Sequence, residues 1–490
     1  MLVGIAIWFV STRFYNNSMD DSSKYITSES QVGVDAPDAK QETHITEIHG
    51  LKLEDPYFWM RLSDEQKEAD TPDEQTAAVV DYLNKENDYK DVVLAPTQKL
   101  QDVLYDEIVG RIVKDDESVP VLYRGYWYYT RFEEGNEYAF NCRKKGSMDA
   151  DEEIMLNGPE LAKGHSYFSI GGSSVSPNNE LLVYGVDVVS RRQYTLYFKD
   201  LNTGELYEDV IPETTGGAVW ANDNKTVFYT KKDPQTLRSF QVYKHVLGTP
   251  VSEDKLVFEE TDETFFVGVG KSKSQEYIMI SSSSTLSTET RYIKADSPDS
   301  DWTIVHPREA DHEYGVSHYG DHFYIHTNKG AKNFKLVKTP VGNTSEELWE
   351  DVIPHREDVL LEGSDFFSSH LVLSERKEGL NQIRIIKWDG SEDYYLQFND
   401  PAYMAFTGAN PDYDSENLRF GYTSLTTPYT TYEHSFADRS REQLKQQKVL
   451  GGDFDPANYQ SERIMVEARD GVKVPVSIVY RKGTEMNGEN

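Results

Sequence analysis

Cysteine is almost absent: Cys142 is the single one in 490 residues. One thiol excludes an internal disulfide framework and a cysteine-based zinc site. Beside Arg143 and Lys144 in a strand-like run, it reads as a partly buried side chain rather than a redox switch. Apolar runs long enough for a membrane are also lacking. Residues 1–10, MLVGIAIWFV, are too few to span a bilayer, and they show neither a basic leading stretch nor a small-residue cleavage site. They read as the remnant of a signal or anchor, or as a start-site error; no membrane span is expected, and the compartment stays open between cytoplasm and periplasm. Positive charge is in deficit, with 50 Lys and Arg against 84 Asp and Glu and a formal charge of −34. Phosphate binding needs clustered cations, so nucleic acid is excluded as a partner.

What is present falls into a lead, two helices and a long repetitive stretch. Met19 to Gln41 is rich in Ser and Asp and predicts no fixed structure, so residues 1–45 are read as an apolar start and irregular lead. From Glu54 the pattern turns helical. Pro72-Asp73-Glu74 is a favoured helix start, and Val79, Val80, Leu83 and Tyr89 give the helix one apolar side. A second helix is predicted near Pro96, with Leu100, Val103, Leu104, Ile108 and Ile112 at three- and four-residue steps. The helical segment is placed at 46–118.

From Val119 the period changes from 3.6 to 2. Strands are predicted to begin at Tyr126, Leu181, Thr226, Tyr277, His322, His370 and Leu418, each followed after a short polar turn by a partner: YAFNCRK, YTLYFKD, QVYKHVL, TRYIKAD, FKLVKTP, QIRIIKW and TYEHSF. Ser176-Pro177-Asn178-Asn179 and Asn222-Asp223-Asn224-Lys225 place turn formers just before apolar strands. Seven hairpins at intervals of about 45 to 55 residues predict an all-β, seven-bladed propeller over 119–450, one blade per hairpin.

At the C-terminal end, two apolar runs, Ile464 to Ala468 and Val472 to Tyr480, flank the turn Arg469-Asp470-Gly471 and predict one more hairpin within 451–490. This segment, together with HGLKLEDPYFWMRL (His49 to Leu62), GYWYYTRFEEGNEYAFNCRKK (Gly125 to Lys145), SRRQYTLYFKDLNTGEL (Ser190 to Leu206), IPHREDVLLEG (Ile353 to Gly363) and FGYTSLTTP (Phe420 to Pro428), resembles oligopeptidase B of the prolyl oligopeptidase family. The resemblance runs from about Pro37 to Lys482. It implies a serine endopeptidase cutting short peptides after Arg or Lys, with a propeller that restricts entry. It also implies an α/β-hydrolase domain, to which the C-terminal hairpin belongs and on which the N-terminal helical segment packs. Basic oligopeptides and that missing catalytic domain are the expected partners, and the acidic surplus agrees with capture of cations. The alternative is a propeller that binds peptides or a protein partner without chemistry.

Such a hydrolase needs a G-x-S-x-G elbow, then an Asp and a His. None is found. Gly171-Gly172-Ser173-Ser174-Val175 and Gly270-Lys271-Ser272-Lys273-Ser274 lack the closing glycine, and Gly315-Val316-Ser317 to Gly320 is one residue too long. No catalytic, cofactor-binding or metal-binding residue is assigned and no cofactor is expected; alone, the chain is expected to be an inactive N-terminal portion. His306, His312, His318, His322 and His326, interspersed with Asp311, Glu313 and Asp321, form the densest set of potential ligands. His322 and His326 share a strand face, but no third partner is evident, so the set reads as solvated or hydrogen-bonded histidines on an exposed loop and hairpin. Acidic groups at Asp115-Asp116-Glu117, Glu133-Glu134, Glu259-Glu260 with Asp262-Glu263, and Glu346-Glu347 with Glu350-Asp351 read as solvated turns able to draw a basic peptide. Arg191-Arg192 and Arg376-Lys377 are candidates for pairing across a domain boundary.

Overall fold

The computed structural model describes residues 34–452 and 454–489. The apolar start at 1–10 and the lead as far as residue 33 lie outside the described residues. The chain divides into two compact units, one holding the N-terminal segment up to Ile112, the other Val113–Val449 with Asp453–Lys482.

In the first unit the sequence reading missed a hairpin. His44–Ile48 pairs antiparallel with Leu51–Asp55 through a turn in which His49 and Gly50 both take positive φ, 54° and 75°, the geometry of a two-residue primed turn. A short helix, Asp64–Glu68, starts at a capping box in which Ser63 and Gln66 satisfy each other's backbone N–H. The helix Glu74–Leu94 is capped by Asp73, whose carboxylate accepts from Thr76 N at 2.7 Å. Pro96 lies in a 3-10 turn, Ala95–Thr97, that leads into the helix Gln98–Gly110. Only Thr76 and Val79 are buried on the longer helix and no residue is buried on the second. Among the described residues no helix is long and apolar enough to cross a membrane.

The second unit is an all-β propeller. All seven predicted hairpins form, from Tyr126–Phe132 with Phe140–Lys145 to Asn417–Ser424 with Thr430–Ser435. Their distribution over sheets corrects the expected seven blades. Five sheets are of blade size: a five-stranded first sheet (Asp116–Glu117 to Glu152–Asn157) and four four-stranded meanders. The meanders span Phe266–Lys271 to Thr303–His306, Tyr314–Tyr319 to Glu350–Ile353, Val359–Phe366 to Asp393–Tyr395, and Tyr403–Thr407 to Arg441–Gln446. Between the first sheet and these lies one continuous seven-stranded sheet, Ser169–Val175 to Lys255–Glu259, in place of two separate blades. Its middle strand, Leu206–Trp220, is 15 residues long and pairs with Tyr194–Asp200 on one side and Thr226–Lys232 on the other. The strand bends at Gly216, φ +93°, where a Cβ would stand 2.7 Å from the Tyr194 ring, so only glycine lets it carry on unbroken.

Each sheet packs on the next through a shared apolar cluster, as alternating strands require. Leu156, Leu182 and Tyr184 join the first and second sheets, and Phe228, Ile278 and Ile280 the second and third. Tyr277 and Phe323 continue the series, as do Leu336, Phe366 and Leu371, then Val372, Leu418 and Phe420. The last sheet meets the first through polar side chains: Lys445 reaches Asp116 at 2.5 Å and the carbonyl of Glu117, and Arg419 donates to the Pro120 carbonyl at 2.7 Å. The second unit ends in the predicted C-terminal hairpin, Tyr459–Glu467 against Lys473–Arg481, with Gly471 at φ +84° in its turn.

Candidate functional site

The first strands of the third, fourth and fifth sheets border one cavity of about 480 Å³, with Lys271, Lys273, His318, Ser317, Asp365 and Phe366 on its wall. Gly268 and Gly270 alternate along one of these strands, and a Cβ at either would meet nothing within 4 Å, so the chain leaves this space open. Lys273 Nζ crosses to Asp365 at 2.6 Å and lies 3.5 Å from the centre of the Phe367 ring. Burial pushes the Asp365 carboxyl up and the Lys273 ammonium down, each partly opposed by the other. Lys271 donates to Asn222 Oδ1 at 2.5 Å and to the Trp220 carbonyl at 3.1 Å. Burial, helped by nearby Arg124, takes its pKa to about 8. The wall thus carries two lysines against one carboxylate, the reverse of an acid-lined entry for basic peptides.

The three near-misses for a nucleophile elbow all fall on strands or strand ends of the propeller, not on a turn into a helix. One does bring a serine to a histidine: Ser274 Oγ lies 2.8 Å from His318 Nδ1, and Glu276 Oε1 is 3.8 Å from the same nitrogen. In a working triad the acid holds the second imidazole nitrogen, which fixes the tautomer and orients the base. Here serine and acid compete for one nitrogen, while His318 Nε2 is buried with no partner. Burial lowers the His318 pKa, and the ring packs 4.6 Å from the centre of Tyr277. The pair is a packed hydrogen bond without the parts of an acyl-transfer site.

The histidines are less exposed than their spacing suggested. His306, His312 and His318 are buried, and His326 Nε2 donates to the Leu361 carbonyl at 2.8 Å while the ring stacks on Phe334. His306 Nε2 lies 2.9 Å from Glu309 Oε1, and His312 Nε2 2.8 Å from the Thr327 hydroxyl. Glu309, which the sequence reading passed over, is the third partner that seemed missing; ligand atoms of His306, Glu309 and His312 all lie within 4.8 Å of one another. The signal was His-x-x-Glu-x-x-His, hidden because Pro307 argues against reading it as one helix face.

Acidic groups are largely spoken for. Glu260 is buried against Arg308 at 2.5 Å, and Glu134, Glu346 and Asp351 pair with Lys114, Lys329 and Lys335 at 3.0, 2.6 and 3.1 Å. Arg376 and Lys377 pair with Glu362 and Asp358 of the same sheet region, whereas Arg191 and Arg192 remain exposed. Cys142 is fully buried, and burial raises its thiol to about 11, which silences it as a nucleophile. A sequestered cluster found only in three dimensions is His245, held between Asp254 (2.6 Å from Nδ1) and Asp209 (2.9 Å from Nε2). Burial alone would keep this imidazole neutral; the two carboxylates outweigh burial and raise its pKa.

Antiparallel sheets packed each on the next, with the last meeting the first, define a propeller. A family model described as "Prolyl oligopeptidase, N-terminal beta-propeller domain" matches residues 37–447, and the chain belongs to that family. It is 42% identical over 482 residues to dipeptidyl aminopeptidase BI of Pseudoxanthomonas mexicana, covering 95% of the chain and 65% of that protein. It is 32% identical to protease 2 of Moraxella lacunata, covering 92% of the chain and 64% of the relative. Oligopeptidase B from Leishmania major superposes with a TM-score of 0.83 at 30% identity, covering 92% of the chain and 66% of that structure. The chain thus spans about 65% of the length of the curated relatives it matches.

Proposed function

We propose that this chain is the substrate-filtering portion of a serine-type oligopeptidase similar to oligopeptidase B, acting on short peptides at Arg or Lys, and that it cuts nothing until a catalytic α/β-hydrolase domain is supplied. One observation carries the reading. The hairpin Tyr459–Glu467 with Lys473–Arg481 is apolar on both faces, with Ile464, Met465, Val466, Val474, Val476 and Val479 all exposed. Successive strand residues point to opposite faces, and strands apolar on both faces belong inside a sheet covered by helices on each side. The apolar stripe Val103, Leu104 and Ile108 of the helix Gln98–Gly110, also exposed, supports the same absent neighbour. In this arrangement the hydrolase domain carries the Ser, His and Asp of the reaction: Ser attacks the carbonyl, His moves the proton, Asp orients His. The propeller contributes the restriction on what reaches them.

The likeness to a dipeptidyl aminopeptidase at 42% identity favours a second reading for specificity, removal of dipeptides from a free amino terminus. Fusing residues 37–482 to the catalytic domain of the Pseudoxanthomonas relative tests the filter. The fusion is expected to cleave a short peptide and to leave a folded protein intact; digestion of both at similar rates contradicts filtering. A blocked Arg anilide set against a free dipeptide anilide, assayed with the chain's own catalytic domain supplied, decides between the two specificities.

A further inference from the structure

We propose that His306, Glu309 and His312 bind a divalent cation of borderline softness, Zn²⁺ above all, and that the ion clamps the third propeller sheet to the fourth. His306 ends the outer strand Thr303–His306 of the third sheet, and His312 precedes Tyr314–Tyr319, the first strand of the fourth. Between them the chain makes a tight loop in which the His312 amide approaches the Glu309 carbonyl, while His312 O accepts from Thr288 N at 3.0 Å, back in the third sheet. The donor set is two imidazoles and one carboxylate, which suits zinc.

A second observation points to a ligand. His312 is 3% exposed, its Nε2 is taken up by the Thr327 hydroxyl at 2.8 Å, and its Nδ1 is buried with no hydrogen-bond partner. Nδ1 is therefore the nitrogen left for a metal, and Thr327 fixes the ring from behind, as outer-shell groups do in zinc sites. Ligand atoms around tetrahedral zinc stand about 3.4 Å apart, from bonds of about 2.0–2.1 Å. The present spread of up to 4.8 Å closes with a small ring rotation and a rotamer change at Glu309, whose side chain is on the surface. Lys329 is the competitor. Its ammonium lies 2.7 Å from Glu309 Oε1 and 2.6 Å from Glu346 Oε2, so an arriving dication displaces it from Glu309 and leaves it paired with Glu346.

Titration of the untagged full chain with Zn²⁺ by calorimetry, with thermal melting alongside, tests the site. One saturable ion per chain and a raised melting temperature are expected, both lost in H306Q/H312Q and both retained in H322Q, which alters a histidine outside the trio. T327V is expected to weaken binding about tenfold by freeing the His312 ring. K329M is expected to tighten it roughly tenfold by removing a charge-assisted bond that zinc must displace. Absence of saturable binding, or unchanged binding in H306Q/H312Q, overturns the proposal. Should the double variant lack a cooperative melt, unchanged affinity in both T327V and K329M overturns it instead.

Discussion

The propeller sheets and the N-terminal helices obey opposite rules of burial. Phe323, Phe367 and Phe420 in the sheets are 0% exposed, whereas Val103 and Ile108 on the helix Gln98–Gly110 are 61% and 62% exposed. Each sheet finds a partner in the next one, so the ring completes its own core. The helix Gln98–Gly110 and the C-terminal hairpin display amphipathic or two-faced patterns whose apolar side chains are largely exposed. A sequence pattern states what an element must bury and leaves open which chain supplies the cover.

The largest effect that sharpens this contrast is a core truncation. Phe323→Ala should destabilise the propeller by about 3–5 kcal/mol in denaturant unfolding, while Leu104→Ala should change stability by less than about 0.5 kcal/mol. Equal losses at the two positions would erase the distinction.

Next comes the buried imidazole of His245. His245→Leu strips Asp209 and Asp254 of their shared cation and should cost about 3 kcal/mol or more. The same group sets a pH dependence with a defined sign. Its folded pKa is raised above the ordinary value near 6.5, so its contribution is fully present below about pH 6.5 and is lost as pH rises through the folded value. Melting temperature should therefore decline in the native chain as pH rises above about 6.5 and through the folded value, and the decline should flatten in His245→Leu.

Smaller still is the closure between the last and first sheets, which rests on side chains. Arg419→Met removes a buried guanidinium bond to Pro120, with an expected loss of about 1–2 kcal/mol, and hydrogen exchange should speed up in Val121–Tyr123 before the middle sheets. The least costly change is in the hairpin. Val474→Thr with Val476→Thr should leave the melting temperature within error and reduce self-association in sedimentation, since both side chains are exposed in this fold.

Much of the propeller was legible in the sequence, because apolar-rich runs such as Leu181 to Asp187 and Asn417 to Ser424, buried at consecutive positions and so on both faces, mark every central hairpin. Sheet boundaries were not. Pro212 and Gly216-Gly217 are residues that ordinarily interrupt a strand, yet the strand from Leu206 to Trp220 runs through them, because Gly216 comes close to Gly185 and Gly171 on strands two and three away in the sheet, an approach that no local pattern records. The hairpin at His44–Asp55 was missed for a simpler reason: its His49-Gly50 turn is a hairpin signal of the Asn-Gly kind in a less familiar spelling. Of the candidate sites, the failed elbows were readable locally. The Ser274–His318 contact and the His245 cluster join residues from different strands and needed the fold to bring them together.

Cleavage assigned to a separate domain is the central claim, and Ser274 beside His318, the near-miss elbow serine that meets a histidine, is where this chain could contradict it. The untagged chain, incubated with a serine-directed fluorophosphonate and assayed on an Arg-linked chromogenic amide, should show neither labelling nor turnover. Labelling that maps to Ser274 and disappears in His318→Gln, accompanied by amide hydrolysis, would place catalysis inside the propeller and contradict the account.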